Sequence, residues 1–217
     1  MSTRTFVGVA ISVICLATSA YAVPITPSPT IISGNETFNN FTSCNVVGGV
    51  SLTCAQIDVS AHTSVSPPDP TNGDFGIRIQ AAFNAGTTTE DVTFQYDGHI
   101  TGGLFHDASM YFNGTAVSSV TEDIFNLANG DLIGHFAVGS PGSPTASIIL
   151  TETTTDIRVI KDIALNFSAP RPTVISIVDQ QFSQTAVPEP ASLALLGVGL
   201  LDLGVGRHRA ACGGTTA

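Results

Sequence analysis

Phe75-Gly76-Ile77-Arg78-Ile79-Gln80-Ala81-Ala82-Phe83-Asn84 is the stretch that settles the fold class. Apolar side chains stand at every second position, with Gly, Arg, Gln, Ala and Asn between them. That period of two describes a strand with one dry and one mostly wet face. After Ala85-Gly86 and a run of threonines the alternation resumes. Val92, Phe94 and Tyr96 point one way, and Thr93, Gln95 and Asp97 the other. Asn113-Gly114 separates Met110-Tyr111-Phe112 from Thr115-Ala116-Val117, and Asn129-Gly130 separates Phe125-Asn126-Leu127 from Leu132-Ile133. Asn-Gly between apolar runs predicts a two-residue hairpin turn at both places. Further strands are expected at 145–151, 156–167 and 173–183. No amphipathic helix and no fixed-period repeat is present. The expected fold is all-β: an antiparallel β-sandwich, with jelly-roll and immunoglobulin-like topologies both open.

The chain has 217 residues, 43% of them hydrophobic and only 11% charged, with a formal net charge of −10. Such a composition suits one ordinary folded domain and argues against a disordered acidic tail. An acidic protein without a Lys/Arg stripe is repelled by phosphate, so nucleic acid is not an expected partner.

The two ends differ from the middle. Arg4 precedes the apolar run Phe6 to Leu16, which is followed by Ala20-Tyr21-Ala22. A basic start, a short apolar segment and small residues at Ala20 and Ala22 predict a signal peptide over 1–22, removed by signal peptidase. Pro24 to Pro29 reads as a linker behind it. At the other end, Val187-Pro188-Glu189-Pro190 precedes a Leu/Gly-rich apolar stretch reaching Gly206, then Arg207-His208-Arg209. The prolines cannot join a strand ladder, and the basic cluster would stay on the cytoplasmic side of a membrane.

Breaker, apolar segment and basic cluster in this order resemble the PEP-CTERM sorting signal, the substrate tag of the exosortase system of Gram-negative bacteria. The resemblance covers 187–209 and leaves the central domain unassigned. It implies an exosortase-like partner, transient inner-membrane anchoring, and a destination at the cell surface or in an extracellular matrix, with exopolysaccharide as a possible associate. Ala191 to Gly206 would make about 24 Å of helix against a hydrocarbon core of about 30 Å, and Asp202 lies within it. A segment so short and polar suits a temporary handle. Residues 23–186 then form the exported domain, Ser183 to Pro190 a spacer, and 210–217 a tail. The domain holds 4 bases against 15 acids.

Cys44 and Cys54 are the only cysteines outside the end segments. A hairpin loop at Gly48-Gly49-Val50 would pair Val46 with Leu52 and Cys44 with Cys54, putting all four on one face. In an exported protein this predicts a disulfide, worth about 3 kcal/mol in the loop-entropy picture. Zinc is the rival reading, but no close Cys or His pair completes four ligands.

His99, His106, Asp107 and His135 are the most site-like polar residues, although their spacing matches no metal or catalytic motif. Asp69-Pro70-Thr71-Asn72-Gly73-Asp74 and Asn126-Leu127-Ala128-Asn129-Gly130-Asp131 offer oxygen ligands around a glycine, yet read equally well as turns. Glu90-Asp91 and Glu122-Asp123 read as solvated charge beside turns or strand ends. Asn35, Asn40, Asn113 and Asn166 fit the N-glycosylation sequon, a coincidence in a bacterium of the kind the resemblance implies. No catalytic site, metal or cofactor is expected. The function these residues predict is a non-enzymatic exported surface or matrix protein. A secreted hydrolase and a lectin-like carbohydrate-binding module on the same sandwich are the alternatives.

Overall fold

The alternation read along the sequence becomes twelve strands in the computed structural model, which describes residues 21–49, 52–63, 75–115, 117–167 and 173–186. The first four strands are β1 (Val23–Pro24), β2 (Ile31–Ser33), β3 (Glu36–Gly48) and β4 (Asp58–Thr63), with a 3-10 turn at Cys54–Gln56 before β4. Eight longer ones follow: β5 (Phe75–Asn84), β6 (Glu90–Ile100), β7 (Gly103–Phe112), β8 (Val117–Asn126), β9 (Leu132–Ser140), β10 (Thr145–Thr154), β11 (Asp156–Asn166) and β12 (Val174–Ala186). They pair antiparallel in two sheets, β1-β4-β5-β12-β7-β10 and β2-β3-β6-β11-β8-β9. These are called sheet A and sheet B below.

The order within the sheets decides the topology. Strand β5 pairs with β12, β6 with β11, β7 with β10 and β8 with β9. First therefore meets last, inward to a single tight hairpin at β8–β9. This is one long antiparallel ribbon rolled up so that successive pairs fall in alternate sheets, which is a jelly roll. An immunoglobulin-like arrangement is ruled out by these pairings.

Inward-facing residues of both sheets fill the gap. Ile77, Ile79, Phe83, Val92, Phe94, Tyr96, Phe105, Phe112, Val159, Ile163 and Phe182 are all almost fully buried. Phe182 of sheet A stacks on Phe38 of sheet B with ring centroids 5.8 Å apart, and meets Phe105 edge-on at 5.3 Å. Aromatic contacts of this kind add to the area they bury and tie the sheets face to face.

Four local expectations are corrected. The Asn113-Gly114 pair is not a hairpin turn, because β7 lies in sheet A and β8 in sheet B. Asn113 instead caps β12: its Oδ1 accepts from the Ser176 and Ile177 amides at 3.0 and 2.8 Å, and its Nδ2 donates to Ser176 Oγ at 2.7 Å. Gly114 is small because the crossover passes over the ring of Phe112, which a Cβ there would strike. Asn129-Gly130 does turn the β8–β9 hairpin, with Gly130 at φ +82°. The loop takes in Leu127 as well, since Phe125 pairs with Leu132.

The stretch after Ala22 is not a linker. Val23 and Pro24 pair with Val59 and Asp58, Ile25 is buried, and the Ile25 amide donates to the Ile57 carbonyl at 2.8 Å. The disulfide between Cys44 and Cys54 is present, with Cα atoms 6.1 Å apart, but no hairpin carries it. Val46 pairs with Val92 of β6, and Cys54 starts the 3-10 turn. Finally, Ser183 to Ala186 are strand rather than spacer. They pair with β7 as far as Gly103, and Ser183 and Gln184 are buried.

The crossover geometry makes a prediction. Gly114→Ala should destabilise by about 1–3 kcal/mol, the usual cost of forcing an extra methyl into packed surroundings. Gly139→Ala, whose Cβ would stand at ordinary contact distance from its neighbours, should be close to neutral. Equal melting temperatures for the two variants would contradict the assignment of Gly114 to a tight crossover.

Candidate functional site

On sheet B the outward phase of the strands sets up two cross-strand rows. In one, Asp97 of β6 stands opposite Arg158 of β11, which stands opposite Phe125 of β8. In the next, Thr42 of β3, Gln95, Ile160, Asp123 and His135 of β9 follow one another across five strands. Arg158 Nε and Nη2 donate to Asp97 Oδ1 and Oδ2 at 2.8 and 3.1 Å, and Asn40 Nδ2 donates to Asp97 Oδ2 at 2.6 Å. This fork-to-fork pairing raises the guanidinium pKa above its ordinary value and fixes its plane. Gln95 Nε2 donates to Thr42 Oγ1 at 3.0 Å.

Gln95, Phe125, Leu127, Arg158 and Ile160, with Asn126 and Gly130 at one end, line an open depression of about 340 Å³ on this face. One ring, two aliphatic side chains and a set of fixed donors and acceptors make a shallow amphipathic surface. Of the tyrosines available for an aromatic platform, Tyr96 is buried in the core and Tyr111 is exposed on the other sheet.

The histidines do not converge. His99 Nδ1 lies 2.7 Å from Asp156, His135 Nδ1 2.6 Å from Asp123, and His106 Nδ1 3.5 Å from Asp107. Each thus sits beside its own carboxylate, on β6, β9 and β7 respectively. Among the described residues no three His, Cys, Asp or Glu side chains form a group that could hold a metal. In the Asn126–Asp131 loop the side chains turn on one another: Asn126 Nδ2 donates to Glu152 Oε1 at 2.5 Å, and the Ala128 amide donates to Asn126 Oδ1 at 2.9 Å. This is a braced hairpin. The Asp69–Asp74 segment lies outside the described residues. Of the sequon asparagines, Asn35, Asn40 and Asn113 have their amides engaged in internal hydrogen bonds.

The expectation of solvated acidic pairs holds for Asp91 and Asp123 and is corrected for their neighbours: Glu90 and Glu122 are buried, and Glu36 with them. Glu122 and Lys161 form an ion pair in the middle of the sandwich. The signal was in the sequence. Glu122 lies between Val120 and Ile124, and Lys161 between Val159 and Ile163, so each polar residue falls in the apolar phase of its strand.

At one end of the sandwich, β12 leaves the sheet through a reciprocal amide pair. Asn35 Nδ2 donates to Gln184 Oε1 at 2.7 Å, and Gln184 Nε2 donates to Asn35 Oδ1 at 2.5 Å. Two residues later the last strand residue, Ala186, pairs with Gly103.

Residues 186–209 match the PEP-CTERM protein-sorting motif. It begins on the residue where β12 ends. A PEP-CTERM motif implies an exported protein processed by an exosortase-like enzyme. Val187, Pro188, Glu189, Pro190, Arg207 and Arg209 of the motif lie outside the described residues, as does the predicted signal peptide up to Ala20. No curated protein matches the chain in sequence.

The chain is distantly similar to several solved structures. TmCBM61, solved in complex with β-1,4-galactotriose, has a TM-score of 0.39 at 11% identity, over 66% of this chain and 90% of that one. The enzymatically active domain of bacteriophage CBA120 tailspike protein 4 has a TM-score of 0.34 at 10% identity, over 67% of this chain and 19% of that one. The C-terminal domain of a chitobiase from Bacteroides fragilis has a TM-score of 0.29 at 10% identity, over 68% of this chain and 97% of that one.

Beside the exit to the PEP-CTERM motif, burial pushes the Glu36 carboxyl up to about 9, opposed in part by the neighbouring Gln184 amide. An unfolded chain releases this proton near pH 4.5. The folded state therefore binds more protons between about pH 4.5 and 9, and stability falls as pH rises through that window. Glu36→Gln should leave the melting temperature at pH 4 nearly unchanged. At pH 8 it should raise it by more than the ~2–4 °C that 1 kcal/mol is worth in a domain of this size. An equal shift at both pH values would show that Glu36 is not held neutral.

Proposed function

We propose that this chain is a non-catalytic cell-surface or matrix protein. Its jelly roll binds exopolysaccharide through the outer face of sheet B and is released from the inner membrane by cleavage at the PEP-CTERM motif. The observation that carries the reading is the motif itself, starting at the last residue of β12. The folded domain is cargo, and the sorting segment follows it directly. On this view signal peptidase cuts after Ala22, so the mature chain opens on Val23, the first residue of β1. The apolar segment behind Pro190 would then hold the chain in the membrane until the sorting enzyme cuts it.

The outer face of sheet B supplies a suitable surface for sugar. Saccharides present both C–H faces and hydroxyl groups, so they need an apolar ring beside fixed polar groups. Phe125 and Ile160 offer the first, and Arg158, Asp97 and Gln95 the second. An open, solvated row of this sort fits a chain passing across the sheet better than a small molecule enclosed in a pocket.

The sorting half is tested by replacing Pro188, Glu189 and Pro190 with alanine in an exosortase-carrying host. The variant should lose its signal peptide, remain in the inner membrane and keep its C-terminus, as fractionation and mass spectrometry would report. Undiminished release of the variant would defeat the sorting role. The binding half is tested with exopolysaccharide purified from the producing bacterium. Arg158→Ala and Phe125→Ala should each weaken binding about tenfold, equivalent to ~1.4 kcal/mol. A wild-type protein that does not bind, or variants that bind as well as wild type, would remove sheet B from the reading.

A further inference from the structure

Lys161 is the only lysine in the chain, and it is fully buried. On β11 it stands directly opposite Glu122 of β8. On the facing sheet, Gln180 of β12 stands directly opposite Met110 of β7. The two pairs meet across the gap. Lys161 Nζ contacts Glu122 Oε2, donates to Gln180 Oε1 at 2.8 Å, and lies 3.4 Å from Met110 Sδ. Lys161, Glu122 and Gln180 have no exposed surface at all. Among the described residues, Gln180 Nε2 and Glu122 Oε1 have no hydrogen-bond partner.

As a stabilising device this cluster is poor. Taking an ammonium and a carboxylate out of water costs several kcal/mol for each ion, and an apolar pair of similar volume often does as well. Two orphaned polar atoms add to the cost. As a reaction centre it is complete. Burial pushes the lysine pKa down and the glutamate pKa up, each opposed by the charge of the other, so that passing one proton along the Nζ–Oε2 contact turns the ion pair into a neutral amine beside a neutral carboxylic acid. A neutral amine is a nucleophile and a carboxylic acid a proton donor, while the carboxamide within reach is the electrophile.

We propose that Lys161 and Gln180 condense into an intramolecular amide that staples sheet A to sheet B, with Glu122 as the catalytic acid and base. Rotation of the carboxamide about its Cγ–Cδ bond swings Oε1 aside and turns a face of the Gln180 carbonyl carbon toward Nζ. The Nζ lone pair forms the C–N bond as the Glu122 carboxyl protonates the carbonyl oxygen. The resulting carboxylate takes a proton from Nζ and delivers it to Nε2. The Cδ–Nε2 bond then breaks, the hydroxyl proton returns through Glu122, and ammonia leaves. One amine and one primary amide become one secondary amide and one ammonia, with no change of oxidation state. The leaving nitrogen is the one that no hydrogen bond from the described residues restrains. Fixing both partners in a rigid core supplies the effective molarities of 10⁵–10⁸ M, as an order-of-magnitude range, that let unactivated groups react. Loss of ammonia to solvent makes reversal negligible.

The test uses the full chain recovered from the exporting host. Its intact mass should fall one ammonia short of the value for its observed termini with the disulfide formed. Proteolysis should yield a branched peptide joining the segment around Lys161 to that around Gln180, with no tryptic cut after Lys161. Glu122→Gln should fold to the same sheet-rich spectrum but show the full mass and linear peptides. Folded wild type that gives separate peptides with free Lys161 and intact Gln180 would overturn the proposal. So would an ammonia deficit without the branched peptide, as a succinimide at Asn113-Gly114 or Asn129-Gly130 would produce. Should Glu122→Gln fail to fold, the wild-type peptides decide alone.

Discussion

Everything in this domain depends on one gap between two sheets, about 10 Å across as in other sandwiches, which every long strand must fill with alternate residues. The rolled ribbon makes that demand severe. Its neighbours in space are β5 and β12, β6 and β11, β7 and β10, so nearly every ladder joins distant parts of the chain. Among the eight long strands only β8–β9 closes locally; the short strands add the β2–β3 hairpin and the β4–β5 pair. Each strand's phase must therefore be right before its partner is in place, because a slip of one residue would turn the whole apolar set outward. The aromatic contacts of Phe38, Phe105 and Phe182 reward the correct phase where the two sheets meet. A fold with so few local contacts is expected to form slowly.

Period was therefore the most legible feature of the sequence. It located the long strands β5, β6, β10, β11 and β12 to within a few residues and gave the fold class. Connectivity was much less legible. Asn-Gly marks a tight change of direction, and at Asn129-Gly130 the chain makes one within a sheet. At Asn113-Gly114 the same dipeptide serves a crossover, where the asparagine caps β12 from outside and the glycine clears Phe112. Both uses need a compact polar residue and one without a side chain. Nothing local separates them, since the difference lies in which strand waits on the far side. The proline-rich start failed for a related reason. Proline is excluded from central ladders but not from edges, and Pro24 sits on β1, one of the two edge strands of sheet A.

The site residues divide along the same line. His99, His106 and His135 are site-like by type, yet each lies beside a separate carboxylate. Glu122, Lys161 and Gln180 look unremarkable by type and are unusual only by phase. Each interrupts an apolar series without breaking its period: Val120-Glu122-Ile124, Val159-Lys161-Ile163, Val178-Gln180-Phe182. Register then explains why three such interruptions are tolerable. Glu122 faces Lys161 across the ladder of sheet B, and Gln180 approaches from sheet A. A polar residue facing a packed apolar gap alone would be a fault, whereas three that converge share one desolvated centre.

That convergence also bears on how the domain suits its surroundings. The PEP-CTERM motif implies handling by a sorting enzyme, and it starts on the last residue of β12. Strand β12 carries that connection, and it is a central strand between β5 and β7 rather than an edge. Pulling on Ala186 loads the β7 ladder first and, from Phe182 inward, the β5 ladder as well, where an edge strand would peel from one throughout. The Asn35–Gln184 amide pair sits at the loaded end. The Lys161–Glu122–Gln180 centre sits two turns of the pleat further in, reaching from β12 to the opposite sheet. Jelly-roll pairing, the terminal amide pair and the buried centre all oppose extraction of the same strand, and each does so by a different physical means: ladder hydrogen bonds, a side-chain clamp, and a polar bridge across the core.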